Sequence, residues 1–125
     1  MRERRPLTLD SVPEELLAEV GVVRGSAKQI NFRCTDNQAV LIPLADIDYS
    51  RSRKLNRDVL TCLLKGMRDH SDFVAVIVVR KPGTNRFVLL DGMHRVRASD
   101  AMGFISIPCK IVSLEEAIDA FGFIQ

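Results

Sequence analysis

The sequence has no tryptophan and a single tyrosine, Tyr49. Reading single-stranded nucleic acid by base stacking takes several aromatic rings, so this chain is poorly equipped for it. Long apolar runs are also missing. The longest, residues 73–79, is seven residues, far short of the ~20 that cross a bilayer as a helix. The basic start, Met1-Arg-Glu-Arg-Arg-Pro6, has no apolar stretch behind it. No secretory signal is expected, and the chain reads as cytoplasmic with no membrane partner. Cys34, Cys62 and Cys109 are odd in number, far apart and without a CxxC pair. They predict neither a disulfide framework nor a zinc site, and their apolar neighbours predict buried thiols. With only His70 and His94 and no HExxH, nothing points to a structural metal or a metal hydrolase.

What is present suits one globular domain: 125 residues, 46% apolar and 27% charged. Residues 1–8 read as a flexible basic arm and 9–125 as a single domain. Charge is unevenly distributed. Residues 51–97 hold eleven Lys and Arg against four Asp, net +7; the whole chain is +2, so the flanks carry −5. A basic centre suits an anionic ligand or partner, and a solvated surface of clustered charges accounts for it equally well.

Periodicity predicts the order α-β-β-α-β-β-α-β-α. Ser11-Val-Pro-Glu14 fits a capping box opening a short helix that ends at Gly21. Residues 29–34 alternate apolar and polar as a strand, and 39–44 form a second strand, with Pro43 placing its end at an edge. A polar stretch leads into a helix from about Leu55 to Met67, where apolar residues recur at three and four. Residues 73–79 are continuously apolar and β-branched, as in a buried strand. Pro82-Gly-Thr-Asn85 turns the chain into a return strand, 87–90. A helix follows Gly92 and ends at Gly103, then a strand at 107–112 and a helix from Leu114 to about Phe121 capped by Ser113. This is α+β: a small mixed sheet with flanking helices, one hairpin and at least one crossover. The apolar tail 120–125 either packs back on the sheet or docks a partner.

The chemistry concentrates in Val88-Leu-Leu-Asp-Gly-Met-His-Arg-Val-Arg-Ala98. A strand runs into Asp91 and Gly92, and a helix begins at once. Its first turn presents unpaired N–H groups. Arg95 and Arg97 stand where the helix dipole favours acids, an arrangement that costs ~0.3–1 kcal/mol each at exposed sites. An anion held by the N–H groups and the guanidinium forks reverses that sign, and phosphate fits best. His94 and Arg97, three apart, share a face. Plainer readings exist for each: Arg97 pairing with Asp100, Gly92 as a simple turn residue, His94 as a structural histidine, Asp91 as a cap.

These segments resemble the ParB N-terminal domain / sulfiredoxin superfamily. The resemblance rests on Ile42-Pro-Leu-Ala-Asp-Ile47, the helix through Leu64, the strand Val76-Ile-Val-Val79, the hairpin, Asp91-Gly-Met-His-Arg-Val-Arg-Ala98, and Ala101-Met-Gly-Phe-Ile-Ser-Ile-Pro-Cys-Lys-Ile-Val112. It covers residues 40–112, about 60% of the chain. It implies a ParB/sulfiredoxin-like fold that binds a nucleoside triphosphate with Mg²⁺, phosphates meeting Gly92, Met93, His94, Arg95 and Arg97. Gly92, His94 and Arg95 match the sulfiredoxin-type Gly-x-His-Arg. Gly92, Arg95, Arg97 and Ala98 match the ParB-type Gly-Glu-Arg-Arg-x-Arg-Ala. The Asp-Gly-x-His-Arg form also resembles the family's free-serine kinases. An Arg in the loop before the helix, Arg51 or Arg53, matches a ParB-type loop arginine. Asp91 is the candidate general base or Mg²⁺ ligand, ahead of Asp46 and Asp48.

The chain departs from the family at Met93. Sulfiredoxins carry their catalytic Cys there, and a thioether is no nucleophile, so sulfinic acid reduction is not expected. ParB proteins carry Glu there. The sulfiredoxin Lys, Ser and Thr that hold ATP phosphates fall on Val59, Cys62 and Gly66. ParB proteins continue into a helix-turn-helix domain, whereas 13 residues follow Val112 here. Three functions stand open on the sequence. One is an NTP-phosphate-binding domain that hydrolyses or transfers phosphate. The second is a DNA-associated protein, a non-specific binder or nuclease, gripping phosphates through residues 51–97 and Arg2, Arg4 and Arg5 of the arm. The third is a non-catalytic member that works through a protein partner.

Overall fold

The computed structural model describes residues 6–26, 34, 36–70 and 73–124. Its elements are β1 (Thr8–Leu9), α1 (Glu14–Glu19), β2 (Val40–Pro43), a 3₁₀ turn (Leu44–Asp46), β3 (Ile47–Asp48), β4 (Leu55–Asn56), α2 (Arg57–His70), β5 (Val76–Arg80), β6 (Phe87–Asp91), α3 (Met93–Met102), β7 (Ser106–Val112) and α4 (Leu114–Phe121). Residues 1–5 of the predicted arm and 29–33 of the first predicted strand lie outside the described residues.

The main sheet has the order β2-β7-β5-β6-β3. β5 and β6 form the hairpin expected at Pro82-Gly-Thr-Asn85, closed by the Lys81 N–H on the Arg86 carbonyl at 2.9 Å. β7 returns through α3 to lie parallel to β5, the expected crossover. β2 pairs antiparallel with β7, and β3 parallel with β6. The α+β fold class stands.

Alternation along the strands divides the core. Val76 and Val78 of β5 face the large cluster with Leu16 and Leu17 of α1, Leu60 and Leu64 of α2, and Val96 and Ala101 of α3. Val79 and Val112 face the other way, against Ala117 of α4. Phe123 folds back onto this second cluster, while Phe121 and Ile124 remain exposed. Three helices therefore cover one face of the sheet and α4 the other. Among the described residues no helix is long and apolar enough to cross a membrane.

Several local expectations change. α1 is capped by Pro13, whose carbonyl accepts the Leu16 and Leu17 N–H groups, and no side chain caps it; Ser11 is too far upstream to do so. Thr8, expected in the arm, begins β1 and pairs with Asn56. α2 starts at Arg57, because Leu55 and Asn56 form a strand against β1, and Asn56 Oδ1 accepts the Val59 N–H at 3.0 Å to begin the helix. Cys109 is a buried thiol, pushed up to about 12 by burial. Cys62, expected buried, is exposed, because it lies off the Leu60–Leu64 stripe of α2.

Candidate functional site

The strand-to-helix junction is built around one glycine. Gly92 adopts φ 111° and ψ 28°, in the left-handed region. A Cβ there would stand 2.6 Å from Val76 Cγ1. Both the turn and the close approach of β6 to β5 thus require glycine. Just before it the hairpin register slips: Val78 faces Leu89, but Ile77 faces Asp91, so β6 carries one extra residue at Leu90. A bulge of this kind bends the strand and re-aims the residues after it. α3 then opens with no acidic residue in its first turn and no side-chain cap. Its N–H groups and dipole are left for another partner.

A cleft of about 280 Å³ lies against this turn. Arg95 reaches it from α3 and Arg53 from the loop before β4. Asp91, Gly92, Met93 and His94 line it too, and Val59 and Leu63 of α2 give it an apolar wall. Among the described residues neither Arg53 nor Arg95 makes an ion pair. Asp91 is exposed and does not cap α3.

Arg51 and Arg97 are not in this cleft. They line a second cavity of about 320 Å³ with Arg24, Ser11 and Asp100. Arg97 is 8% exposed and donates to two backbone carbonyls, Asp10 at 2.9 Å and Arg51 at 3.3 Å. It pairs with neither Asp91 nor Asp100. Arg51 stacks over the Tyr49 ring, 5.0 Å from its centre. Burial, then the charge of Asp100, pushes the Tyr49 phenol above its ordinary value.

His94 points back to the loop. Its Nε2 accepts the Asn56 N–H at 2.8 Å. Burial, then the nearby Arg53 charge, holds the imidazole below its ordinary value and favours the neutral form that can accept. Asn56 is a residue that the motif reading misses, although an Asn just before a helix is a recognisable cap signal.

The three candidate acids separate as well. Asp48 is held by Arg86, with contacts at 3.1 and 3.2 Å, and that bond keeps its carboxyl below the usual range. Among the described residues Asp91 is the one carboxylate lining the cleft, and Asp46 is not part of it. Among the described residues no three His, Cys, Asp or Glu cluster closely enough to hold a metal by themselves.

The fold and this junction define the class: a small α+β domain with a strand, a glycine turn and a basic helix start. The ParB N-terminal domain family matches residues 30–121, and the chain belongs to that family. Two solved structures share the fold. Sulfiredoxin from Arabidopsis thaliana is 25% identical over 69% of this chain and 98% of its own, with TM-score 0.57. The C-terminally truncated chromosome-partitioning protein ParB from Caulobacter crescentus, complexed with CTP-gamma-S, is 16% identical over 70% of this chain, with TM-score 0.52. The alignment spans 54% of that ParB chain. No curated protein matches the sequence.

Proposed function

We propose that the cleft binds the phosphates of a nucleoside triphosphate. One observation carries this reading: Arg53 and Arg95, both without an ion pair among the described residues, meet at an uncapped helix start with no acid in its first turn. Backbone N–H groups and two guanidinium forks suit a run of phosphates. Family membership and the CTP-gamma-S held by the ParB of like fold support it. Arg51 and Arg97 then act behind the site, holding its loop. Asp91 is one carboxylate beside the phosphates. Mg²⁺ bound to nucleotide typically takes one or two protein carboxylates, with phosphate oxygens and water completing its shell. Asp91 fits that need and is also the candidate base for hydrolysis or transfer. Met93 offers no thiolate at the sulfiredoxin position, so the reading is a phosphate site and not a reductase.

The DNA reading is weaker on specific grounds. Much of the basic middle is engaged within the protein: Arg57 with Glu19, Arg68 with Asp69, Arg86 with Asp48, Lys54 with Asp10. Of the rest, Arg53 and Arg95 converge on the cleft, whereas Lys65, Arg80 and Lys81 are exposed outside it.

The test is thermal unfolding with ATP, CTP, GTP and UTP, with and without Mg²⁺, on wild type and Arg95→Ala. Nucleotide at 100 times its Kd adds about 2.7 kcal/mol, a shift of several degrees. A shift with wild type that Arg95→Ala loses is expected. No shift with any nucleotide overturns the proposal, and a salt-sensitive shift with duplex DNA alone would favour the second reading.

A further inference from the structure

His94 and Arg97 share one face of α3, and both reach the same piece of chain. Arg97 donates to the Arg51 carbonyl, and His94 accepts from the Asn56 N–H. The two bonds hold the two ends of segment 51–56, and Arg53 stands between them. Asn56 also begins α2, its side chain accepting the N–H of Val59, which lines the cleft.

We infer that His94 is a positioning residue: its neutral imidazole latches segment 51–56 onto α3, setting the Arg53 side and the Val59 wall of the cleft, and its protonation releases them. The inference deepens the phosphate-site reading and rests on it for its effect on nucleotide. The chemistry is a matter of donors and acceptors. Neutral imidazole with its proton on Nδ1 offers Nε2 as an acceptor. When Nε2 takes a proton from water, a donor faces the Asn56 N–H and the bond is lost. The charged groups that line the cleft with His94 are Arg53 of the segment and Asp91 and Arg95 of its own strand-to-helix turn, while Lys54 and Asp58 flank Asn56 in the sequence. Lys54 is paired with Asp10.

The experiment tracks the Asn56 amide by ¹⁵N NMR in nucleotide-free protein, from about pH 7.5 to 5, beside the His94 ring nitrogens. The expected result is that the Asn56 shift moves with the His94 titration and its hydrogen exchange, corrected for pH, rises about tenfold, as for a lost hydrogen bond. His94→Gln, whose amide oxygen can accept the same N–H, should keep the amide protected and insensitive to pH in this range. Nucleotide affinity should fall about tenfold with acid in wild type and less than about threefold in His94→Gln. An Asn56 amide that stays put while His94 titrates overturns the latch. This arm needs no variant and no ligand, so it decides the latch even if wild type binds no nucleotide, a result that would sink only the phosphate reading.

Discussion

Arg97 donates from Nη2 to the carbonyl oxygen of Asp10, 87 residues earlier in the chain, at 2.9 Å. An arginine that the sequence offers to solvent phosphate is instead buried against backbone. Arg97→Ala should therefore destabilise the fold by about 1.5–3 kcal/mol, the usual range for hydrogen bonds to a charged group. Urea denaturation measures this. A variant as stable as wild type would mean the two carbonyls find other partners.

Arg53 behaves in the opposite way. It is exposed and without an ion pair among the described residues. Arg53→Ala should leave the unfolding midpoint within about 0.5 kcal/mol of wild type. It should weaken nucleotide binding about tenfold or more, as loss of one charge-assisted bond does. Isothermal titration on the folded variant separates the two effects.

At Gly92 the expected cost is conformational. Gly92→Ala places a methyl group in the left-handed region and against Val76. Strain of this kind costs about 1–3 kcal/mol. The melting temperature should fall accordingly, and the Val76 methyl resonances should shift.

Asp91→Asn should leave Mg²⁺-free nucleotide binding unchanged or tighter, since a negative charge beside the phosphates is gone. The gain that Mg²⁺ gives to wild type should shrink. Any phosphate release should drop about 10²-fold or more, the scale of a lost general base. Binding with and without Mg²⁺, and then a phosphate-release assay, checks each step.

Stability should depend on pH through His94. Its folded imidazole resists protonation more than the unfolded one, whose ordinary value is 6.5. Below that value the unfolded chain takes up the proton first, so stability falls with falling pH and levels off below the folded value. Carboxylates add their own acid loss at lower pH. The difference between wild type and His94→Gln, from urea midpoints at about pH 7.5 and 5.5, isolates the histidine. Equal losses in both proteins would show that His94 contributes nothing.

The elements legible in the sequence carry strong local signals: the Pro82-Gly-Thr-Asn85 turn, the two glycines bounding α3, and Ser113 before α4, whose side chain accepts the Glu116 N–H. β1, β3 and β4 have two residues each, too few to show a period, and they form only because distant partners are present. The site divides in the same way. Gly92 and Arg95 could be placed from their own neighbourhood. Arg97 could not, because the carbonyls that claim it come from Asp10 and Arg51. The register slip at Leu90 is a property of two paired strands and has no signature in either alone.

The place of β7 in the sheet has a consequence for how the chain is made. β7 is the last strand described in sequence, yet it lies between β2 and β5 and is the strand with which β2 pairs. During synthesis β2 emerges more than sixty residues ahead of that partner, with Leu41 still solvent-exposed in the finished fold. Assembly of the sheet is therefore a late, non-local event. Until β7 emerges the nascent chain carries β2 without the strand it pairs with, and an open strand edge of this kind is a site where aggregation can start.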